Sequence, residues 1–313
     1  MKRRGILIIL ISILTAGQAI SAPGDWSLFL DASAVNRITC IGDSLWCGSN
    51  GGILLFDLTD STLTQFYSGL ELRSNEISAV TVDSEHSVWV AFCGEGIARI
   101  DDFGIDPEVT HYNENAVLLL SDSVNCLLSV DEDVYYGCNN GIAKFFDKTH
   151  SLEPNLSENL NGKRVNDLLI DDDNVLWIAC EDGVAEFDRD TYIFNLHPIG
   201  YSFSVTFYEG MIYCAVSTGI MRFDGDSWEE FGTTFHNDLV PRCIASGGGG
   251  IYAVTAERGY RYNGLYWESL EAAQMKLVFS DNYRISQFHL RALAVDFQAG
   301  EVRVHLPADP SQK

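Results

Sequence analysis

The sequence predicts an all-β protein, and three features of the chain lead to that fold class. One pattern recurs six times: an apolar run, a polar turn, a second strand that carries an aromatic residue, and a turn with glycine. The apolar runs begin at residues 35, 77, 124, 165, 203 and 241, a repeat of about 41 residues. Segments rich in β-branched and aromatic residues are interrupted by Gly and Asp turns about every 8–12 residues, which is the pattern of short β-strands. A four-stranded unit repeated at this period is a β-propeller blade.

Each predicted blade contains its own copy of the repeat. The copies are LWCGSNGGILLFD at 45–57, VWVAFCGEGIARID at 88–101, VYYGCNNGIAKFFD at 134–147, LWIACEDGVAEFD at 176–188, IYCAVSTGIMRFD at 212–224 and IYAVTAERGYRYN at 251–263. The glycines suit turns that need positive φ, and the last Asp or Asn of each copy suits an Asx turn before a fourth strand. The recurring second-strand aromatics are expected to pack between blades; they are Trp46, Trp89, Tyr135, Trp177, Tyr213 and Tyr252.

The period predicts seven blades, of which six are plain in the sequence. The seventh would be assembled from LRALAVDF at 290–297, EVRVHL at 301–306 and an N-terminal strand, DWSLFL at 25–30. Pairing the N-terminal strand into the last blade would close the ring and remove exposed sheet edges. A third strand for this blade is not visible, because only residues 307–313 remain after EVRVHL. Six blades with irregular ends is therefore the alternative.

The N-terminus predicts export. Lys2, Arg3 and Arg4 precede an apolar run at 5–16, and Ala19 and Ser21 follow with the spacing of a cleavage site. We expect residues 1–21 to be a signal peptide and residues 22–313 to be a single propeller domain, periplasmic or extracellular. An uncleaved anchor helix is the alternative, and no membrane span is expected after signal cleavage.

Composition limits the partners. The chain has 20 Lys and Arg against 44 Asp and Glu, a formal net charge of −24. This charge argues against nucleic acid, whose binding depends on Lys and Arg, and against an anionic membrane surface. It also disfavours anionic ligands. The expected partner is a small polar molecule, a glycan or a protein.

The repeat resembles the two-component-regulator propeller repeat, whose pattern is apolar-Trp-apolar-Gly-Thr, two residues, Gly-apolar and a final aromatic-Asp. The resemblance covers residues 35–263. It implies an extracytoplasmic sensor propeller, which in that family usually precedes a membrane span and a kinase. No span or kinase is recognisable in this sequence, so we expect a free-standing exported propeller. The family's Thr is replaced by Ser49 and, at the equivalent place in other copies, by Cys93, Cys138 and Cys180.

Acidic clusters and cysteines are candidate metal ligands and disulfides. Residues 131–133, 171–174 and 224–226 could supply oxygen ligands to Ca²⁺, but each falls at a predicted hairpin turn and none matches the twelve-residue calcium loop. We therefore expect solvated turns and no cofactor. Hairpin turns at 43–44 and at 131–133 would place Cys40 opposite Cys47 and Cys126 opposite Cys138, within disulfide reach. The alternative is that these cysteines are small buried apolar residues.

The sequence contains no catalytic motif, so we expect a non-enzymatic binding or sensing module. The alternatives are a propeller-type lyase or lactone hydrolase with a site at the channel mouth, and a structural fragment of a larger exported protein. The turns between second and third strands, and the links into the next first strand, should gather around the channel. Their polar residues differ between blades. The candidate ligand-binding residues are Asn50, Glu95, Asn139, Asn140, Glu181, Asp182, Ser217, Thr218, Glu257 and Arg258, with Asn36, Asn125 and Asn166 at the starts of first strands.

Overall fold

In the computed structural model the chain forms successive four-stranded antiparallel sheets, which confirms the β-propeller prediction. The described residues belong to one compact unit, Asp31–Lys313. They are 35–57, 59–60, 62–66, 72–103, 107–117, 119–232, 240–247, 250–255, 259–270, 294–298 and 301–305. The expected signal peptide and the N-terminal strand at 25–30 lie outside them.

The strands of each blade follow one another in sequence. Blade 1 comprises β1 (Val35–Ile41), β2 (Ser44–Ser49), β3 (Gly52–Asp57) and β4 (Leu63–Phe66); blade 2 comprises β5 (Ile77–Val82), β6 (Val88–Phe92), β7 (Gly96–Asp101) and β8 (Glu108–Tyr112). Blade 3 comprises β9 (Val124–Val130), β10 (Asp133–Cys138), β11 (Gly141–Phe146) and β12 (Thr149–Ser151); blade 4 comprises β13 (Val165–Ile170), β14 (Val175–Cys180), β15 (Gly183–Asp188) and β16 (Phe194–His197). Blade 5 comprises β17 (Ser202–Tyr208), β18 (Met211–Val216), β19 (Gly219–Phe223) and β20 (Trp228–Glu230); blade 6 comprises β21 (Cys243–Gly247), β22 (Gly250–Val254), β23 (Gly259–Tyr262) and β24 (Trp267–Leu270). Two short helices precede blades 3 and 4: α1 (Glu114–Val117) and α2 (Pro154–Asn159).

The prediction of seven blades is wrong: the described residues form six four-stranded blades. The two segments predicted for a seventh blade do pair, as the antiparallel strands β25 (Ala294–Gln298) and β26 (Glu301–His305). They form a two-stranded sheet of their own. Among the described residues, no third or fourth strand pairs with them.

The core of the described residues lies between the blades. First strands pack in order, β1 against β5, β5 against β9, β9 against β13, β13 against β17 and β17 against β21. Five hydrophobic clusters fill the spaces between successive blades. The second-strand aromatics of blades 1 to 5 are members of these clusters, as predicted, whereas Tyr252 of blade 6 is only partly buried.

First strands carry a β-bulge that the sequence did not predict. In five blades the register between first and second strand shifts at the second residue of the first strand, so that two residues face one. A bulge bends a strand and re-aims the extra side chain. The bulge residues are Asn36, Ser78, Asn125, Asn166 and Phe203.

Three of these bulge residues tie one blade to the next. Each asparagine donates its Nδ2 hydrogen to the backbone carbonyl of the residue that begins the following first strand. The bonds run from Asn36 to Ile77 at 2.8 Å, from Asn125 to Val165 at 2.8 Å and from Asn166 to Ser202 at 2.7 Å. We call this series the asparagine ladder.

The acidic turn of blade 4 has a structural role. Asp171 accepts hydrogen bonds from the backbone N–H groups of Asp173 and Val175 and, at 2.7 Å, from the indole Nε1 of Trp177. Asp83 does the same in blade 2, with Trp89 as the indole donor. The Asx turns predicted after the third strands are present in four blades, at Asp57, Asp188, Asp224 and Asn263.

The register that suggested two disulfides is wrong by one residue in each hairpin. Ile41 pairs with Ser44, so Cys40 faces Leu45 and Cys47 faces Ile38. In blade 3, Cys126 faces Gly137 instead of Cys138. The turns are two residues long and begin with a positive φ, at Gly42 and at Asp131, which fixes this register. Cys47, Cys126 and Cys138 are buried free thiols.

Candidate functional site

The turns between second and third strands lie beside the segments that lead into first strands, as predicted. In blade 3 the backbone N–H of Asn139 donates to the carbonyl of Ser123, and in blade 5 that of Ser217 donates to Tyr201. Successive blades are joined in the same way, because the N–H of Gly52 in blade 1 donates to the carbonyl of Asn75 before blade 2. We call this end of the propeller the mouth face.

The described candidate residues all occupy the mouth face, but few of them contact one another. Asn139 accepts a hydrogen bond at its Oδ1 from Asn125, and Asn140 donates to the carbonyl of Leu120. Asp182 forms an ion pair with Lys163. Glu257 and Arg258 lie outside the described residues. The remaining candidates are exposed to solvent: Asn50, Glu95, Glu181, Ser217 and Thr218.

A buried ion pair links first strands of blades that are not neighbours. Arg37 in β1 is 2% exposed, and its Nη1 lies 3.6 Å from Oδ1 of the fully buried Asp167 in β13. The Arg37 Nη2 donates to the backbone carbonyls of Asn125, at 3.2 Å, and Asn166, at 3.3 Å. One side chain of blade 1 therefore contacts both blade 3 and blade 4, neither of which is next to blade 1 in sequence.

Burial dominates the acidity of Asp167. Loss of solvation raises its pKa to about 6, although Arg37 and the backbone N–H groups of Val205 and Leu168 act in the opposite direction. Those two N–H groups donate to the two carboxylate oxygens at 3.1 and 2.7 Å. Arg37 is less completely satisfied, because its Nε and Nη1 are buried and make no hydrogen bond to the described residues.

Four side chains at the starts of blades 4, 5 and 6 form a second group. Arg164 donates from Nε to Oδ1 of Asn166 at 2.9 Å, and the Tyr201 hydroxyl donates to the same oxygen at 3.3 Å. The rings of Tyr201 and Phe203 lie 5.0 Å apart, and the guanidinium of Arg242 lies 4.2 Å from the centre of the Phe203 ring. We call Arg164, Tyr201, Phe203 and Arg242 the mouth cluster.

Sequence reasoning missed the mouth cluster, although it identified Asn166, the residue to which Arg164 and Tyr201 donate hydrogen bonds. Arg164, Tyr201 and Arg242 each precede the first strand of their blade by one residue. Aligning the repeats on the first strand would have marked this position. Phe203 was hidden because its outward direction depends on the bulge.

The described residues contain no group of three or more His, Cys, Asp or Glu side chains placed to hold a metal ion. His111, His150 and His197 lie on the fourth strands of their blades, far from the channel strands, and His86 lies in the β5–β6 turn at the opposite end of blade 2. His197 ends β16 opposite Val184, at the mouth-face end of blade 4 but on the outermost strand of that blade.

Solved structures of other propellers resemble the chain. It matches the extracellular domain of the putative hybrid two-component system BT3049 from B. thetaiotaomicron, with 19% identity, a TM-score of 0.57 and coverage of 75% of this chain and 34% of that one. The shared structure is the propeller fold. Streptogramin B lyase matches with 14% identity and a TM-score of 0.61, over 84% of this chain and 87% of the lyase. PorZ, a surface component of the type-IX secretion system of Porphyromonas gingivalis, matches with 12% identity and a TM-score of 0.62, over 92% of this chain and 40% of PorZ.

These matches establish the architecture and leave the activity open. The chain spans about a third of the length of the BT3049 domain. No family model matches the sequence, and no curated protein matches it either. Among the described residues, no helix has the length and apolar character needed to cross a membrane. The BT3049 match is the extracellular domain of that protein, and the export of this chain stays a prediction.

Proposed function

We propose that this propeller is an exported, non-enzymatic module that binds a ligand on its mouth face and serves in sensing or recognition. The observation that carries the proposal is the connected polar network on that face. Asn125 and Asn139 of blade 3 bond to each other, and Arg164 donates both to Asn125 and to Asn166 of blade 4. Tyr201 extends the network to blade 5.

The contrast between framework and mouth supports this proposal. The buried second-strand aromatics, the third-strand Asx turns and the asparagine ladder recur from blade to blade. The mouth residues differ in charge and size at equivalent positions, as Glu76, Ser123, Arg164, Tyr201 and Arg242 show. Variable polar groups on a rigid, repeated scaffold are the usual arrangement of a binding surface.

Propeller lyases show that the same fold also carries enzymes, and streptogramin B lyase is one of them. A likeness of 14% identity extends to the fold and not to the reaction. Three of the four described histidines lie on outer fourth strands and His86 lies in the β5–β6 turn, so none lies on a first strand, and we favour binding over acid–base catalysis.

Thermal unfolding of the purified exported chain tests the proposal. Neutral sugars, amino acids, organic acids and short peptides would be added separately, with calcium and a chelator as further conditions. A ligand at about 100 times its Kd adds about 2.7 kcal/mol, which raises Tm by about 2–4 °C per kcal/mol for a domain of this size. We expect a rise with one organic class.

A pair of variants locates the site. Glu181→Gln changes an exposed side chain on the mouth face, and Glu132→Gln changes an exposed side chain in the β9–β10 turn at the other end of blade 3. The proposed location would be contradicted if the rise in Tm caused by a ligand changed in Glu132→Gln and stayed the same in Glu181→Gln. No rise with any class would contradict ligand binding and favour a structural role.

A further inference from the structure

The mouth cluster is positively charged in a strongly acidic chain. Four arginines of the described residues are neutralised by carboxylates, in the pairs Arg37–Asp167, Arg99–Asp101, Arg189–Asp133 and Arg222–Glu229. Arg164 and Arg242 are exposed and have no carboxylate of the described residues within ion-pair distance. The net charge of the whole chain therefore does not describe this surface.

The two guanidinium groups differ from ordinary solvated arginines because their surroundings hold them in place. Arg164 is fixed by two neutral amide oxygens, at 2.9 Å from Asn166 and 3.3 Å from Asn125. These bonds orient the group and leave its charge uncompensated. Arg242 lies over the face of Phe203, a contact that also leaves its N–H groups free to bind an anion.

Between these cations lie two aromatic rings that are only partly buried. The rings of Tyr201 and Phe203 contact each other. On one side, Tyr201 and Arg164 both donate hydrogen bonds to Asn166, and on the other side Arg242 lies over Phe203. Phe203 takes the bulge position that asparagine occupies in blades 1, 3 and 4. A phenylalanine side chain cannot make the hydrogen bond between blades that asparagine makes there. It provides instead a flat apolar surface on which a ligand can stack.

A further arginine, Arg37, contacts the same two asparagines as Arg164. It contacts the backbone carbonyls of Asn125 and Asn166, while Arg164 contacts the side-chain oxygens of the same two residues. Its Nε is buried without a hydrogen bond to the described residues, and its Nη1 has only the ion pair with Asp167 at 3.6 Å. Buried N–H groups that lack a partner carry a free-energy cost that an acceptor can relieve. Two guanidinium groups thus converge on one pair of asparagines.

We propose that the mouth cluster binds a small organic anion that combines a carboxylate with a flat apolar portion, the simplest class being aromatic carboxylates. This inference rests on the proposed function and names the ligand class for the same site. The carboxylate would accept charge-assisted hydrogen bonds from Arg164 or Arg242. The flat portion would stack on Phe203 and Tyr201.

Calorimetric titration with matched probes tests the inference. The probes are benzoate and indole-3-carboxylate, their neutral amides, and acetate as a carboxylate without a ring. We expect each aromatic carboxylate to bind at least tenfold more tightly than its amide and more tightly than acetate. Its affinity should fall as salt is raised, because the cations are exposed. Equal affinity for acid and amide would overturn the inference.

Three single variants, each checked for an unchanged Tm, assign the site. Arg164→Gln and Arg242→Gln should weaken aromatic carboxylates by at least tenfold while leaving the amides unaffected. The control is Arg261→Gln, which removes an exposed arginine over the Tyr252 ring, 5.9 Å from the ring centre, on the third strand of blade 6. Equal losses in the control and the mouth variants would also overturn the inference.

The same titrations separate the two proposals. Binding of a neutral sugar or peptide, abolished by mouth-face variants, with no binding of aromatic carboxylates, would refute the anion inference and leave the proposed function standing. Binding of no organic class would refute both.

Discussion

At the scale of single residues, the Asp–Trp turns show how one carboxylate organises a hairpin. Asp171 accepts two backbone N–H groups and the indole of the nearly buried Trp177. It thereby satisfies three donors that the turn would otherwise leave to solvent. The first residue of an acidic cluster that resembles a calcium site in the sequence is therefore the hydrogen-bond acceptor of an inter-blade tryptophan.

Replacing this carboxylate should destabilise the fold. We expect Asp171→Ala to lower the free energy of unfolding by about 1–3 kcal/mol, because a mostly buried indole N–H loses its acceptor. Urea denaturation measures the change. Asp172→Ala, in the same turn but exposed, is the control and should be nearly neutral. Similar losses in both variants would contradict the assigned role.

The raised pKa of Asp167 predicts that the stability of the fold depends on pH. Its pKa is raised to about 6 in the folded state, above the ordinary carboxyl value. The native state therefore binds a proton more readily than the unfolded chain, and stability from this residue is present at low pH and is lost as pH rises through 6. Relative to Asp167→Asn, the wild type should gain up to about 3 kcal/mol as pH falls from 7 to 4. Denaturation curves that run parallel over this range would contradict the assignment.

At the scale of elements, the bulges decide where first-strand side chains point. The asparagine ladder exists because each bulge turns an amide toward the next blade. Blade 2 departs from the pattern, because Ser78 occupies the bulge and its hydroxyl is buried with no hydrogen-bond partner among the described residues. A serine side chain is too short to repeat the contact made by asparagine.

Completing the ladder in blade 2 should therefore stabilise the protein. Ser78→Asn is expected to donate to the carbonyl of Val124, the residue equivalent to Val165 in blade 4, and to raise the free energy of unfolding by about 1 kcal/mol. The reciprocal variant Asn36→Ser should lower it by a similar amount. A loss of stability in Ser78→Asn, measured by urea denaturation, would show that blade 2 cannot accommodate the longer side chain.

Local patterns predicted the elements well and their registers poorly. First strands begin at the predicted residue in blades 1 to 4 and within two residues of it in blades 5 and 6, because alternation of apolar residues is a local signal. The hairpin registers were wrong because turn geometry, at Gly42 and Asp131, shifts pairing by one residue. The bulges depend on hydrogen bonding between two strands, so the sequence of one strand does not show them.

At the scale of the whole molecule, one ion pair of the described residues joins the first strands of blades 1 and 4, which are not neighbours. Arg37 contacts blades 3 and 4, which are distant in sequence, and Asp167 receives backbone donors from blades 4 and 5. This pair could not be predicted from the sequence, because no local sequence pattern indicates which residues of distant first strands will contact each other. The described candidate residues lie on the predicted face because the order of the strands fixes that face. Their contacts depend on packing between blades, which the repeat pattern does not show.

Breaking this pair should affect the entire fold. We expect Arg37→Met to lower stability by about 3–5 kcal/mol at neutral pH, because Asp167 is left buried without its cation. Adding Asp167→Asn should recover much of the loss, since the uncompensated charge is removed. Chemical denaturation of both single variants and the double variant measures the coupling. Strictly additive losses would contradict a direct pair across the ring.

The asparagine ladder has a consequence for how such a molecule can arise. Each blade that carries the asparagine brings its own attachment to whatever blade follows, and the acceptor is a backbone carbonyl that every successor possesses. As far as this hydrogen bond is concerned, copies of a gene segment encoding one blade can be inserted or lost without a change in the side chains of the following blade. Phe203 is the point where this interchangeability ends, because it gives up the general attachment for contact with one particular successor residue, Arg242. Through this contact blades 5 and 6 are matched to each other, as blades 1 and 4 are by Arg37 and Asp167.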